Sequence, residues 1–450
     1  MATPDAHAVA AGESSSVAHP GRLIGLMGAA VAVTLPGVVS RLGGVHPVHW
    51  LGVAVYGLAI VGAAFLLAWG AETLQLDVSR GLALAVLALI AVLPEYVVDF
   101  TFAAKAGGDT EKYAPLALAN MTGSNRLLIG VGWAAVVLIA AWRVTRISRR
   151  RGYEGPVDTE VQLDRSHSIE IAFLAIATLY SLTLPLKHNL TLFDAGVLIL
   201  LFVLYAIRIS KSPAEEPHLV GPARLLGQLS DGRRRVVVGL LLAFSATVIL
   251  LCAEPFAESL VSAGEEFGVS TFLLVQWLAP LASEAPELLV ACLFAWRLNT
   301  NGGLGTLVSS KVNQWTLLVG SLPIVFVVFG GAASGLPLDS LQREELFLTA
   351  AQSAFAVTVL SNRSISVREA LALFGLFVSQ FVLGAVLPEG LRAWERIGVG
   401  IIYLVLAAGI LVRDRRRMRT LLRDGLRTPA GELVHDADGS AAPAAPGTPA

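Results

Sequence analysis

Charge is scarce in this 450-residue chain: 15% of its residues are Asp, Glu, Lys or Arg, against 55% hydrophobic ones. Soluble domains carry about 25% charged residues, so a water-exposed globule is excluded and the membrane class is the starting point. The mean hydropathy of +0.68 agrees. Cysteine is nearly absent. Cys252 and Cys292 each fall in an apolar block and read as small core residues, not as a disulfide or metal pair. All eight histidines (His7, His19, His46, His49, His167, His188, His218 and His435) lie in expected tails or loops, which excludes an intramembrane metalloenzyme built on His. No G-x-x-x-x-G-K-[ST] motif occurs, and the longest internal polar segments, 143–168 and 210–235, are too short for an ATPase domain. No nucleophile and base stand at a recognisable spacing, so the chain is not read as an enzyme and needs no cofactor. A net charge of −1 offers no field for nucleic acid. Nothing alternates with period two, which excludes a porin-like barrel. The first 20 residues lack the basic start of a signal peptide.

What is present is a series of apolar blocks of about 20 residues, the length a helix needs to cross the hydrocarbon layer. They predict an all-α polytopic membrane protein of about twelve transmembrane helices, at 23–40, 50–70, 81–104, 114–142, 169–186, 191–209, 236–261, 271–296, 303–329, 346–360, 370–387 and 397–412. Basic clusters follow the fourth span (Arg143, Arg146, Arg149, Arg150, Arg151), the sixth (Arg208, Lys211, Arg224, Arg233 to Arg235) and the twelfth (Arg413, Arg415, Arg416, Arg417, Arg419). All three come after even-numbered spans, so the positive-inside rule places both termini in the cytoplasm, with the plasma membrane as the expected location. Trp50, Trp69, Trp142, Trp296 and Trp394 are read as marking membrane interfaces, and Glu254 and Glu258 as solvated charges at a helix end.

Two stretches resemble each other. One starts at Ala71 and runs through Val78-Ser79 to Pro94-Glu95; the other starts at Ala253 and runs through Val269-Ser270 to Pro286-Glu287. An internal duplication explains both. The Pro-Glu segments fall in the third and eighth spans, and this odd offset of five inverts the second copy relative to the first. The expected layout is two inverted five-helix repeats with one extra helix at each end. Its segments are a disordered tail (1–21), an extra span and loop (22–49), the first repeat (50–209), a cytoplasmic loop (210–235), the second repeat (236–388), an extra span (389–413) and a basic, then disordered, tail (414–450).

Acidic residues inside spans carry the chemistry. Glu95 and Asp99 are four apart and Glu284 and Glu287 three apart, so each pair shares a helix face. An acid at a span centre costs about 2.5 to 3.5 kcal/mol on the lenient insertion scale, and a cation, proton or basic partner must offset this. Pro94 and Pro286 cannot donate to the carbonyls of Ile90 and Ala282, which adds backbone oxygens beside the carboxyls. The next span of each copy is rich in small polar residues: Asn120, Thr122, Gly123, Ser124 and Asn125, then Thr306, Ser309, Ser310, Lys311, Asn313 and Gln314. Carboxylate, carbonyl and hydroxyl together form a ligand set for hard cations such as Ca2+ or Na+.

These motifs resemble the sodium/calcium exchanger superfamily, the Ca2+:cation antiporters, whose two repeats read approximately G-T-S-x-P-E and then G-S-N-x-x-N. The interval from Pro286 to Ser309 matches the family's, while the first copy has about six extra residues in the loop 105–113. The resemblance implies that Glu95 and Glu287 bind the divalent cation. It puts the G-S-N serine at Ser124 and Ser310, and the Thr-Ser pair at Ala91 and Val92 and at Ser283 and Glu284. The final Asn or Asp falls on Leu128 and Gln314. Ala91, Val92 and Leu128 offer no side-chain oxygen, which dismantles half of the family's sodium ligands. Glu284 and Asp99 are extra acids; Lys311 and Arg126 are extra bases that can compensate charge or take part in coupling. The expected function is secondary cation antiport, Ca2+ against H+ or Na+, with proton coupling ahead of sodium. The alternatives are a monovalent Na+(K+)/H+ exchanger and a non-transporting scaffold or sensor. The expected partners are the lipid bilayer and small inorganic cations, and homo-oligomerisation is left open.

Overall fold

A computed structural model describes residues 20–45, 47–77, 93–153, 155, 157–211, 219, 221–268 and 270–433. Long helices dominate it: α1 Pro20–Leu42, α2 His49–Leu74, α3 Leu93–Gly108, α4 Thr110–Arg150, α5 Ser168–Ser181, α6 Leu192–Ile209, α7 Asp231–Phe267, α8 Thr271–Trp296, α9 Thr300–Val328, α10 Ser340–Val359, α11 Val367–Val386 and α12 Glu389–Arg413. The chain is an all-α polytopic membrane protein, and each helix coincides with one of the expected spans. The start of the third span, with Ala91 and Val92, lies outside the described residues, as do most of the two tails.

Among the described residues ten of these helices are long and apolar enough to cross a membrane; α3 and α10 fall short. Side-chain and backbone pairing fix where both run. Arg41, after one span, pairs with Glu254 of α7 at 2.9 Å, and His49 pairs with Glu266 at 3.1 Å. Lys105 near the end of α3 reaches the same Glu254 at 3.3 Å, so α3 ends on the side of the loop between α1 and α2. Two short ladders settle α10 in the same way. Strand β1 (Val161–Gln162, before α5) pairs with β4 (Ser364–Ile365, before α11), and β2 (Asn189–Leu190, before α6) with β3 (Leu336–Pro337, before α10). The loops that contain β3 and β4 therefore lie at opposite ends of the bundle, and α10 connects them. Its low hydropathy follows from burial inside protein: Gln342, Glu345, Thr349, Gln352 and Ser353 are all buried.

The ladders also correspond under a shift of five spans, which exchanges β1 with β3 and β2 with β4. Leu163 N donates to Arg363 O at 2.7 Å, and Leu338 N donates to His188 O at 2.7 Å. Strands β2 and β4 each run directly into a capping box, Thr191 with Asp194 on α6 and Ser366 with Glu369 on α11.

Lipid-facing surfaces carry exposed large residues such as Leu204, Leu240, Leu250, Val382 and Val405. Trp142 and Trp296 pack together at 5.4 Å, with Arg143 over Trp296 and Arg146 over Trp142, as expected of a membrane interface at the basic end. Trp69 faces protein. It is 8% exposed and packs on Phe65, Leu66, Ala30 and Ala223. The basic segment after the twelfth span is a helix, α13 Arg415–Leu426. It turns Met418 and Leu421 inward, and Asp424 takes Arg165 Nε at 2.9 Å.

At the same end Asp77 accepts from Arg234 at 2.7 and 2.8 Å and from Arg235 at 2.9 Å, tying the end of α2 to the start of α7. The hydrogen bonds from Arg234 lead in holding the Asp77 carboxyl down from 3.8 to about 2. A depressed acid stabilises the fold above its unfolded value and loses that contribution as pH falls through the folded one. Asp77→Asn is expected to lower the melting temperature near neutral pH. The difference from the parent should shrink as pH drops below 3.8 towards about 2, as thermal unfolding in detergent across that range would show.

Candidate cation site

Four helices bring the acidic residues together. Helix α3 supplies Glu95, Tyr96 and Asp99; α4 supplies Asn120, Ser124 and Asn125; α8 supplies Ser283, Glu284 and Glu287; and α9 supplies Ser310, Lys311, Asn313 and Gln314. Helices α4 and α8 touch backbone to backbone. Pro280 has no N–H for the carbonyl of Gln276 one turn earlier, and Gly123 sits directly on that carbonyl, leaving no space for a Cβ. Glycine is therefore required at the start of Gly123-Ser124-Asn125 for α4 to approach α8 this closely.

The segments after the small polar runs are π-helical in both copies, Leu128–Trp133 in α4 and Gln314–Leu318 in α9. Such wide turns recur at functional sites because they re-aim side chains. Gln314, first in the second segment, donates its amide to Glu284 Oε1 at 2.6 Å and to Glu95 Oε2 at 3.3 Å. One amide thus links the acid of the first copy to an acid of the second, with the Glu284 carboxyl also beside that of Glu287. Leu128, at the matching position of α4, makes no such link.

Glu95, Asp99 and Glu284 are 0–2% exposed; Glu287 is half-buried. Asn120 donates to Asp99 at 2.5 Å, and Tyr96 Oη donates to Asn313 Oδ1 at 2.9 Å. Lys311 is fully buried and donates to Asn125 O at 2.6 Å and to Asn125 Oδ1 at 2.5 Å, joining the two polar runs. Ser283 donates to the carbonyl of Ala279 on its own helix at 3.2 Å. Oxygens without a hydrogen-bond partner remain on Glu95, Asp99, Asn120, Ser124, Glu284, Ser310 and Gln314. Each buried polar atom left unpaired costs about 1–3 kcal/mol, so this many together rival a whole domain's stability of about 5–15 kcal/mol. They must have a partner, and acceptor oxygens of this kind are matched by a hard cation, protons or water. Among the described residues no three Asp, Glu, His or Cys converge as a metal cluster.

Arg126 does not join this group. Its fully buried guanidinium lies 2.6 Å from Glu345 of α10 and over Trp277 at 5.2 Å, and Glu345 also accepts from Gln276 at 3.0 Å. Sequence reading missed Glu345, which it placed in the loop before a span starting at 346; the available signal is Gln342 and Gln352, polar residues on either side of it that face protein. Removing one partner of a buried pair costs about 3–5 kcal/mol. Arg126→Met or Glu345→Gln alone is expected to lower the melting temperature strongly, and the double substitution to recover most of the loss. A double variant as unstable as either single would refute the pairing.

A bundle of membrane-crossing helices around a mixed carboxyl, amide and hydroxyl site defines a class, that of ion-translocating transporters. The sodium/calcium exchanger protein family model matches residues 48–211 and 237–384, and the chain belongs to that family. The crystal structure of an H+/Ca2+ exchanger, CAX, is similar at 40% identity and TM-score 0.81, covering 90% of this chain and 98% of that one. The structure of native YfkE shares the fold at 16% identity and TM-score 0.54, covering 85% and 99%. A search of curated proteins returned no match.

Proposed function

We propose that this protein exchanges Ca2+ for H+ across the plasma membrane, with both termini cytoplasmic. The observation that carries this reading is the pair Glu95 and Glu284, delivered by different helices onto the single amide of Gln314, with unpartnered oxygens on all three. Carboxylates that hold a divalent cation release it when they take protons, because both ligands use the same oxygens. The likeness to an H+/Ca2+ exchanger at 40% identity supports the same pair of substrates. Lys311 supports protons over sodium: its amino group, fully buried and held by Asn125, can itself take up and release a proton beside the site. The matched loop ladders support two inverted repeats, 50–209 and 236–388, rocking about the site for alternating access. Glu95 and Glu287 are the central cation ligands, with Glu284, Asp99, Ser124, Ser283, Ser310, Gln314, Asn120 and Asn125 completing the shell directly or through water.

The test is flux in proteoliposomes that contain the purified full chain. Ca2+ uptake should follow an imposed pH gradient, with protons moving the opposite way. A sodium gradient of equal size should drive none. Uptake driven equally by sodium would overturn the proton assignment.

A further inference from the structure

Glu170 lies in the first turn of α5 at the basic end, 6% exposed, and its Oε2 has no hydrogen-bond partner. The cation site does not use it. His167 Nδ1 stands 3.5 Å from its Oε1, and the imidazole lies on Gly305 of α9, where a Cβ would meet the ring at 2.3 Å. One turn further along α5, on the same face, Phe173 packs its ring on Tyr205 of α6 at 5.7 Å, which sets the Tyr205 hydroxyl in the field of Glu170. Tyr205 Oη and Ser309 Oγ of α9 are hydrogen-bonded at 2.8 Å. Ser309 and Asn313 share a face of α9 one turn apart, and Asn313 accepts from Tyr96, the residue after Glu95.

We propose that α5, α6 and α9 hold a proton route separate from the path of the cation. It runs from His167 and Glu170 at the basic end, through Tyr205 and Ser309, to Asn313 and Tyr96 beside Glu95. The one-turn step from Ser309 to Asn313 spans about 5.4 Å along the axis, room for a bridging water. A proton released by a site carboxyl enters at Tyr96, passes by water held beside Asn313 to Ser309 and Tyr205, and reaches Glu170 through a further water; each hydroxyl or water accepts one proton as it passes one on, while the Asn313 amide keeps its own protons and only orients its neighbours. Glu170 then yields that proton to His167, and His167 yields it to solvent. Nothing between the site and Glu170 ionises, and the net change is one proton moved.

The charged surroundings of Glu170 leave it available for this task. Arg165 and Arg363 both lie against Asp424 of α13, at 2.9 and 3.9 Å. Arg208 of α6 donates to the carbonyl of Gly425 at 3.1 Å. From α10, the stretch 346–359 contains no titratable residue, and α9 presents none between 300 and 310.

The route rests on the proposed exchange of Ca2+ for H+, and the experiment separates the two. Glu170→Gln and Tyr205→Phe are made in the full chain, and Ca2+-driven proton flux is measured in proteoliposomes across a range of pH beside equilibrium Ca2+ binding in detergent. Both variants are expected to lose proton flux roughly tenfold, a conservative share of what a positioned acid–base group supplies, with unchanged Ca2+ affinity. Glu170→Asp should recover part of the flux, and His167→Ala should shift its pH profile. Tyr205→Phe keeps the ring packed on Phe173, so it reports even if Glu170→Gln folds poorly. Parental flux in both variants overturns the route alone. Flux and affinity falling together assigns the residues a structural role and also overturns it. A parent protein that moves Ca2+ without protons overturns the exchange reading and the route with it.

Discussion

Glu95→Gln is expected to abolish Ca2+ exchange while leaving the protein folded. The substitution keeps the shape of the side chain and removes its charge. Glu95 is 2% exposed, its Oε2 accepts the amide of Gln314 at 3.3 Å, and its Oε1 has no protein partner. A neutral amide still accepts from Gln314 through its oxygen. Its nitrogen, turned towards the remaining oxygens of the site, places donors where a cation needs acceptors. Ligand charge is what tunes oxygen-ligated Ca2+ sites over several decades of affinity, so transport should fall by at least about two orders of magnitude. The melting temperature should hold or rise, because a buried carboxylate has been replaced by a group that is cheaper to bury. Asp99→Asn should be milder, since Asn120 already occupies one Asp99 oxygen at 2.5 Å. Uptake by Glu95→Gln at the parental rate would remove the site from this position.

The spans were legible because a membrane imposes one requirement, about 20 apolar residues, that few other structures share. Boundaries failed where the requirement is relaxed. Helix α10 starts at Ser340, not near 346, since Gln342 and Glu345 face protein and need no apolar character. The acids were legible because charge in an apolar run has few bland explanations. Their partners were not: Gln314 lies 219 positions from Glu95 and Arg126 the same distance from Glu345, and no local pattern encodes such pairing. Lys311 and Arg126 look alike in sequence, two bases beside small polar residues. The structure separates them, with Lys311 on Asn125 within the site and Arg126 on Glu345 behind it. Helix α13 had a readable signal, Met418 and Leu421 at helical spacing within a run of arginines, which the charge of the segment masked.

The close contact of α4 and α8 gives the other large prediction. Gly123→Ala places a methyl 1.8 Å from the carbonyl oxygen of Gln276 and 2.8 Å from its carbon. Those atoms are backbone, so no rotamer relieves the clash and the helices must separate. In an open helix the same change gains about 1 kcal/mol; here overpacking costs about 1–3 kcal/mol or more, and the contact decides the sign. Separation also displaces Ser124 and Asn125 and strains the Asn125–Lys311 bond, so exchange should be lost along with stability. Gly375→Ala provides the control, because nothing lies within 4 Å of its added methyl, and it should melt no lower than the parent and transport normally. A Gly123→Ala protein that melts and exchanges like the parent would mean that the backbones are not in contact. Serine at the same position adds an oxygen to the same clash and should behave no better than alanine. The glycine is therefore needed for the space it leaves, and the chemistry of the site depends on a residue that has none of its own.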